Sequence, residues 1–248
     1  MDSDLRRLRD TLHGILRANP VLDRALHRVN RTNMIKCALI ARSENHADIS
    51  VSGILEGELD PDVALGDYTF IEKAQNLVGA LYSSLSMGNS VDRNLLLNCS
   101  RTLTGNPDAY FRKGNPVVYT FNHVPPHCSD VDRELGGLIR RVYAGDMDND
   151  PVYRAMILHN GIIGIWPFDE FSAEIGLFAM NYFLMEQGFI PVTFAMPRKE
   201  YLDVTGDNLK GRRQKEFYYT LREAIEEKLE EAIQACERYT GGAYEDKT

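Results

Sequence analysis

The chain has 248 residues, a length that fits one large domain or one domain with an extension. Its 28 Lys and Arg against 36 Asp and Glu leave a net charge of −8, so it lacks the overall basic footprint that grips a phosphate backbone, and nucleic acid is not expected as a partner. A composition 44% hydrophobic and 26% charged supports a substantial core and excludes a disordered segment. The cysteines Cys37, Cys99, Cys128 and Cys236 form no CxxC pair and only Cys128 has an adjacent histidine, His127; free thiols are expected, and structural zinc is not. No apolar run reaches the roughly 18 residues of a membrane span, and the acidic start Met1–Asp4 lacks the order of a signal peptide, so a cytoplasmic protein without membrane contact is expected.

Leu5, Leu8, Leu12 and Leu16 recur at helical spacing, giving a short helix that stops before Asn19-Pro20. A second helix is expected from Asp23 toward Ala41, carrying Leu26, Val29, Ile35 and Leu39, and a third short segment over about 48–56. Asp60-Pro61 offers a capping carboxylate and a proline at the first helical position, predicting a long helix from there through Leu65, Ile71, Ala74, Val78 and Leu81 to Met87-Gly88. Ser90 is the expected cap of a helix bearing Leu95, Leu96 and Leu97. The stretch from Pro116 through Val117, Val118, Tyr119 and Thr120 to Phe121, β-branched and aromatic between turn residues, predicts a strand or hairpin arm.

A helix is predicted from Ser129 to Ala144-Gly145, and another after Asp150-Pro151, weakened by Gly161 and Gly164. Pro167 disfavours helical geometry at Trp166, so a loop should join this helix to the next, over about 169–187. Gly188 stands where a left-handed cap is wanted and Pro191 blocks continuation. The remainder reads as a brief extended segment at 190–194, a loop over 196–211 and a charged amphipathic helix over 216–237.

The loop Trp166-Pro167-Phe168-Asp169-Glu170-Phe171-Ser172-Ala173-Glu174, with Leu177 three residues on, resembles the motif of the Fic (Fido) family: His-Pro-Phe, an acidic residue, Gly-Asn-Gly-Arg and a second Arg. His159 on the preceding helix, Leu184, Gly188 and Pro191 after it, Tyr110-Phe111-Arg112, Pro125-Pro126 and Phe217-Tyr218-Tyr219 fit the same frame without a register shift. Ser52-Gly53-Ile54-Leu55-Glu56-Gly57 resembles the family's inhibitory pattern, in which the Glu reaches the second motif Arg. The resemblance spans roughly residues 49–238. It implies a mainly α fold, a Fic-like helical core over 49–248 with a short β-hairpin flap, preceded by an N-terminal helical extension over 1–48.

The same resemblance implies AMP transfer from ATP, with the motif His as base, a carboxylate at 170 holding Mg²⁺, backbone amides on phosphate and the flap pairing with a protein target segment through residues such as Val117, Val118, Tyr119 and Phe121. The departures fall on the chemistry. Trp166 cannot accept a proton, because an indole nitrogen only donates. Phe171, Ser172 and Ala173 carry side chains where Gly-Asn-Gly lets amides approach phosphate, Glu174 puts a negative charge in place of a positive one, and Leu177 replaces the second Arg, leaving Glu56 without its family partner.

Several side chains have two readings. Trp166 is a core filler or a stacking surface for a base or sugar. Asp169, Glu170 and Glu174 complement the positive end of a helix, or Glu170 retains a metal role. His159 reads as a satisfied core histidine, and His123 and His127, on the flap edge, as distant candidates for a displaced base. Lys210, Arg212, Arg213 and Lys215 read as a solvated basic patch or as a grip on phosphate. The expectation is a degenerate Fic-like binding or regulatory protein with no catalytic residue at 166, no cofactor and a protein partner at the flap. The alternative is a divergent transferase moving a nucleotide or other activated group, which would need ATP and Mg²⁺.

Overall fold

A computed structural model describes residues 3–144 and 150–245, with side chains described through 240. Met1 and Asp2 of the acidic start, and Gly145, lie outside the described residues. Ten helices occur among the described residues: α1 (Ser3–Ala18), α2 (Pro20–Leu39), α3 (Val51–Leu55), α4 (Leu65–Ser86), α5 (Arg93–Thr104), α6 (Val131–Tyr143), α7 (Pro151–Ile165), α8 (Ser172–Glu186), α9 (Arg198–Leu209) and α10 (Gln214–Glu245).

The centre of the molecule is α8. Every residue from Ser172 to Leu184 is buried, which is the pattern of a helix surrounded by others and explains why its sequence shows no polar face. α7 lies alongside it, with α2, α4 and α5 also against it; α6 backs α7, and α10 packs on α1, α7 and α9. Gly161 leaves α7 unbroken. It admits α6, since a Cβ there would stand 2.4 Å from Leu138 Cδ1. At the far end of α8, the chain turns through Gly188 at φ +80°, and the buried Asn181 amide holds the next segment by accepting from Val192 N (2.9 Å) and donating to Val192 O (3.3 Å).

The leucine stripe of α1 faces inward through Leu5 and Leu12, and Asp150 caps α7 by accepting from Val152 N ahead of Pro151. Other boundaries differ from expectation. α2 starts at Pro20, a proline at the first helical turn, and not at Asp23. Asp60-Pro61 makes a turn in which Asp60 Oδ1 accepts from Asp62 N, and α4 begins only at Leu65. Asp92, not Ser90, caps α5 by accepting from Leu95 N at 2.7 Å. α6 starts at Val131 after a 3-10 turn over Cys128–Asp130. The expected hairpin arm is absent from the described residues: Val118 pairs with His123 in one isolated antiparallel bridge around a 3-10 turn, Tyr119–Phe121. The flap is a loop with one rung. Residues 196–211, expected as a loop, contain α9.

No helix of the described residues is long and apolar enough to cross a membrane.

Candidate functional site

The loop between α7 and α8 is bracketed by two bulky residues in the left-handed region. Trp166 (φ +50°) ends α7, its N–H donating to Ile162 O, and Phe171 (φ +63°) precedes α8. Between them, Ser172 Oγ accepts from Phe168 N and donates to Phe168 O, both at 3.0 Å, so the loop is closed by its own hydroxyl. Phe168 is buried against Phe111, with ring centroids 5.9 Å apart.

Arg112 ties this loop to the flap. Its side chain is buried, with Nε donating to Trp166 O at 2.7 Å and its Nη atoms donating to Gly114 O and Pro126 O. Its backbone N–H donates to Pro167 O. Burial without a carboxylate in hydrogen-bond contact pushes the guanidinium below its usual range. His123 completes the latch through Nε2, 2.7 Å from Gly164 O. Trp166 is half-buried, edge-on to Phe121 at 6.0 Å, and the flap rests on α9 where Gly206 has no side chain: a Cβ there would meet Phe121 O at 2.8 Å.

At the start of α8, Glu174 is buried and faces a cation from outside the motif. Arg42 Nη1 stands 3.9 Å from Glu174 Oε1, while Arg42 Nε donates to Asp67 Oδ1 at 2.9 Å. The guanidinium lies over Phe70 (4.6 Å) and Phe171 (5.8 Å), whose rings stack at 6.1 Å. Arg198 at the start of α9 pairs with Glu44 and donates to Ala41 O, fixing the segment that carries Arg42. Burial raises the Glu174 carboxyl, opposed by its own backbone N–H and by Arg42 and Arg198.

The other motif positions separate. Ala173 and Leu177 are buried in the core, while Asp169 and Glu170 are exposed. Ser52, Glu56 and Gly57 are exposed on and after α3, Glu56 being the residue that ends the helix. On the flap, Val118 and Phe121 point inward, whereas Tyr119 (86% exposed) and Val117 (49%) face outward with Val124 (70%). His127 Nδ1 accepts from Ser129 N at 3.3 Å and caps the turn before α6. His159 is fully buried between Asn160 Oδ1 (2.9 Å) and the Tyr201 hydroxyl (3.0 Å) and stacks on Phe217; burial lowers it to about 4. Lys210, Arg212, Arg213 and Lys215 are exposed, with Arg213 paired to Glu216 and near Asp207. No group of three or more His, Cys, Asp and Glu suited to a metal ion occurs among the described residues.

Sequence reasoning missed Arg42, Asp67, Arg198 and Tyr201. The first two lie upstream of the motif and the others in α9; an arginine next to an aromatic-lined acid has no signature along the chain. Only the acid at 174, where the resembled motif carries an arginine, could have pointed to a compensating cation.

No family model matches the sequence. Among solved structures, the chain is similar to a Fic domain containing signaling protein from Bacteroides thetaiotaomicron, with a TM-score of 0.74 and 15% identity over 95% of this chain and 97% of that one. It is also similar to Fic-1 (residues 134–508) from C. elegans, with a TM-score of 0.72 and 18% identity over 95% and 72% of the two chains. A Fic family protein from Desulfovibrio desulfuricans gives 0.62 and 14% over 96% and 76%. The chain has the fold of Fic domain proteins.

Proposed function

We propose that this chain is a degenerate Fic family member that does not carry out standard AMP transfer and acts as a binding or regulatory protein. The observation that carries this reading is the start of α8: Glu174 is buried against Arg42, and Phe171 and Phe70 stack beneath that guanidinium. A bound nucleotide phosphate would have to displace Arg42 from Asp67 and approach a buried carboxylate. The residues there do not fit a magnesium-bound nucleotide. Glu170 is exposed and belongs to no metal-suited acidic cluster among the described residues, and Phe171 and Ser172 carry side chains where phosphate would need bare backbone. At the position of the base, Trp166 offers no proton acceptor.

The proposed partner surface is the outer rim of the flap, where Tyr119, Val117 and Val124 are exposed. A segment of another protein laid there would bury apolar surface that the fold leaves in water. The test is incubation with labelled ATP and Mg²⁺, alone and in lysate. No covalent label is expected. Label on the wild type that disappears in Glu170→Ala would overturn the reading and establish a divergent transferase.

A further inference from the structure

The helices α1, α2 and α4 enclose a cleft of about 370 Å³, extended by the turn after α8. Its lining includes no residue of the 166–177 loop or of the flap. On α2, His27 and Asn30 are three residues apart and share a face. From α4, the Tyr82 ring lies 5.3 Å from the His27 ring, and Arg31 covers Tyr82 at 5.3 Å. Leu26, Met185 and Ile190 supply apolar surface.

Two buried polar atoms of residues in this wall, Asn30 Oδ1 and the Tyr82 hydroxyl, have no hydrogen-bond partner among the described residues. Asn30 as a whole is only 7% exposed. Buried acceptors and hydroxyls are nearly always satisfied in folded proteins, and each one left alone costs free energy. Here an acceptor and a donor are orphaned beside the same cleft, next to two aromatic rings. The rim carries both signs of charge: Arg17 and His13 on one side, and on the other Asp23, which is 3.7 Å from His27. No excess charge calls for an ion.

We propose that this cleft binds a small planar aromatic amide or lactam, its N–H donating to Asn30 Oδ1 and its carbonyl accepting from the Tyr82 hydroxyl. The ring of such a ligand takes the place of the His27 ring against Tyr82, and its far edge lies on the apolar residues. The cleft volume suits a molecule of this size. Because both orphaned atoms are closed off from solvent, the ligand reaches them by displacing the His27 side chain, 52% exposed, from its contacts with Tyr82 and Asp23. A ligand carrying a donor and an acceptor side by side also satisfies Asn30 in either orientation of its amide.

The test uses benzamide and 2-pyridone as probes and methyl benzoate, which lacks the N–H, as the control. Backbone amide NMR titrations compare the wild type with Tyr82→Phe and Asn30→Leu. Benzamide or 2-pyridone is expected to shift resonances of His27, Asn30, Gly188 and Phe189 with a dissociation constant on the order of 1–10 mM, fitting so few atoms. Methyl benzoate and both variants should bind about five- to tenfold more weakly, the loss of one hydrogen bond. Tyr82→Phe removes an unpaired hydroxyl, so its Tm should equal or exceed that of the wild type. The proposal is overturned if neither probe shifts these resonances at about 20 mM, if both variants bind as well as the wild type, or if Tyr82→Phe lowers Tm by more than about 3 °C, since the hydroxyl then already has a protein partner.

Discussion

Replacing Arg42 by methionine removes one charge and leaves two. Arg42 lies 2.9 Å from Asp67 and 3.9 Å from Glu174. At an effective dielectric of 20 these separations give about 6 and about 4 kcal/mol of attraction, most of it offset by the desolvation of the three groups. Removing one partner of a buried pair costs about 3–5 kcal/mol. Methionine keeps an apolar stem against Phe70 and Phe171, and the Arg42 side chain is 24% exposed, so Arg42→Met is expected near the low end, about 3 kcal/mol.

Its pH dependence separates this account from simple loss of packing. The Glu174 carboxyl is already raised in the folded state by burial, and Arg42 is one of the groups holding it down. Without Arg42 it rises further. A folded pKa above the unfolded one means that the native state holds the extra proton between the two values, so stability is gained as pH falls through that window and lost as pH rises through it. The Arg42→Met deficit should therefore be smaller at about pH 5 than at about pH 7.5. Adding Glu174→Gln should recover at least about 1 kcal/mol at neutral pH and flatten the pH response. Urea unfolding followed by the fluorescence of Trp166, the one tryptophan of the sequence, measures all three proteins. An Arg42→Met variant within about 0.5 kcal/mol of the wild type at both pH values, or a double variant no better than the single one, would refute the reasoning.

Phe171 sits at φ +63°, so Phe171→Gly and Phe171→Ala lose the same ring contacts but only alanine keeps the backbone strain; the glycine variant should be the more stable by about 1 kcal/mol in urea, and the reverse order would mean the conformation is not strained. His159, lowered to about 4 by burial, has a folded pKa below the unfolded value, so its neutral form stabilises the fold at pH 7 and that contribution is lost as pH falls from about 6.5 toward 4, by up to about 3 kcal/mol. Its ring resonances should not titrate above about pH 5, and a normal histidine titration would contradict the burial seen here. Arg112→Lys retains the charge but not the planar fork that spans Trp166, Gly114 and Pro126, and should cost about 2 kcal/mol or more and red-shift Trp166 emission; unchanged emission would show that the latch does not depend on the guanidinium.

Where periodicity and end signals agreed, the fold was readable from the residues. The leucine spacing of α1, the Asp150-Pro151 entrance to α7 and the Gly188 turn each rest on local chemistry that tertiary contacts left unchanged. α9 was not readable because its buried positions include Thr205, Gly206 and Asn208 beside Tyr201 and Val204, so no apolar stripe marks it. The flap was misread because β-branched propensity at Val117 and Val118 had no strand to pair with; the chain instead turns back to one bridge at His123. Asp60-Pro61 offered the signals of a helix start, yet Asp60 Oδ1 meets Asp62 N and makes a turn.

The candidate site was readable as a frame and not as a set of contacts. Trp166 and Phe171 show why. A left-handed backbone at a bulky residue costs roughly 1–2 kcal/mol, and both residues hold it at the positions that bracket the loop. The offset comes from partners far away in sequence: Phe121 against Trp166, and Phe70 with Arg42 against Phe171. The stabilising contacts of both rings are thus drawn from the flap, from α4 and from the segment after α2. Glu174 follows the same logic with charge in place of volume. A carboxylate buried at the start of a helix gains a little from the helix terminus, about 0.3–1 kcal/mol, far less than the cost of burying it alone; Arg42 supplies the remainder, and Arg198 and Glu44 hold the segment that bears it. The buried acid at 174 and the position of Arg42 are therefore one feature, seen from the two sides of a single ion pair.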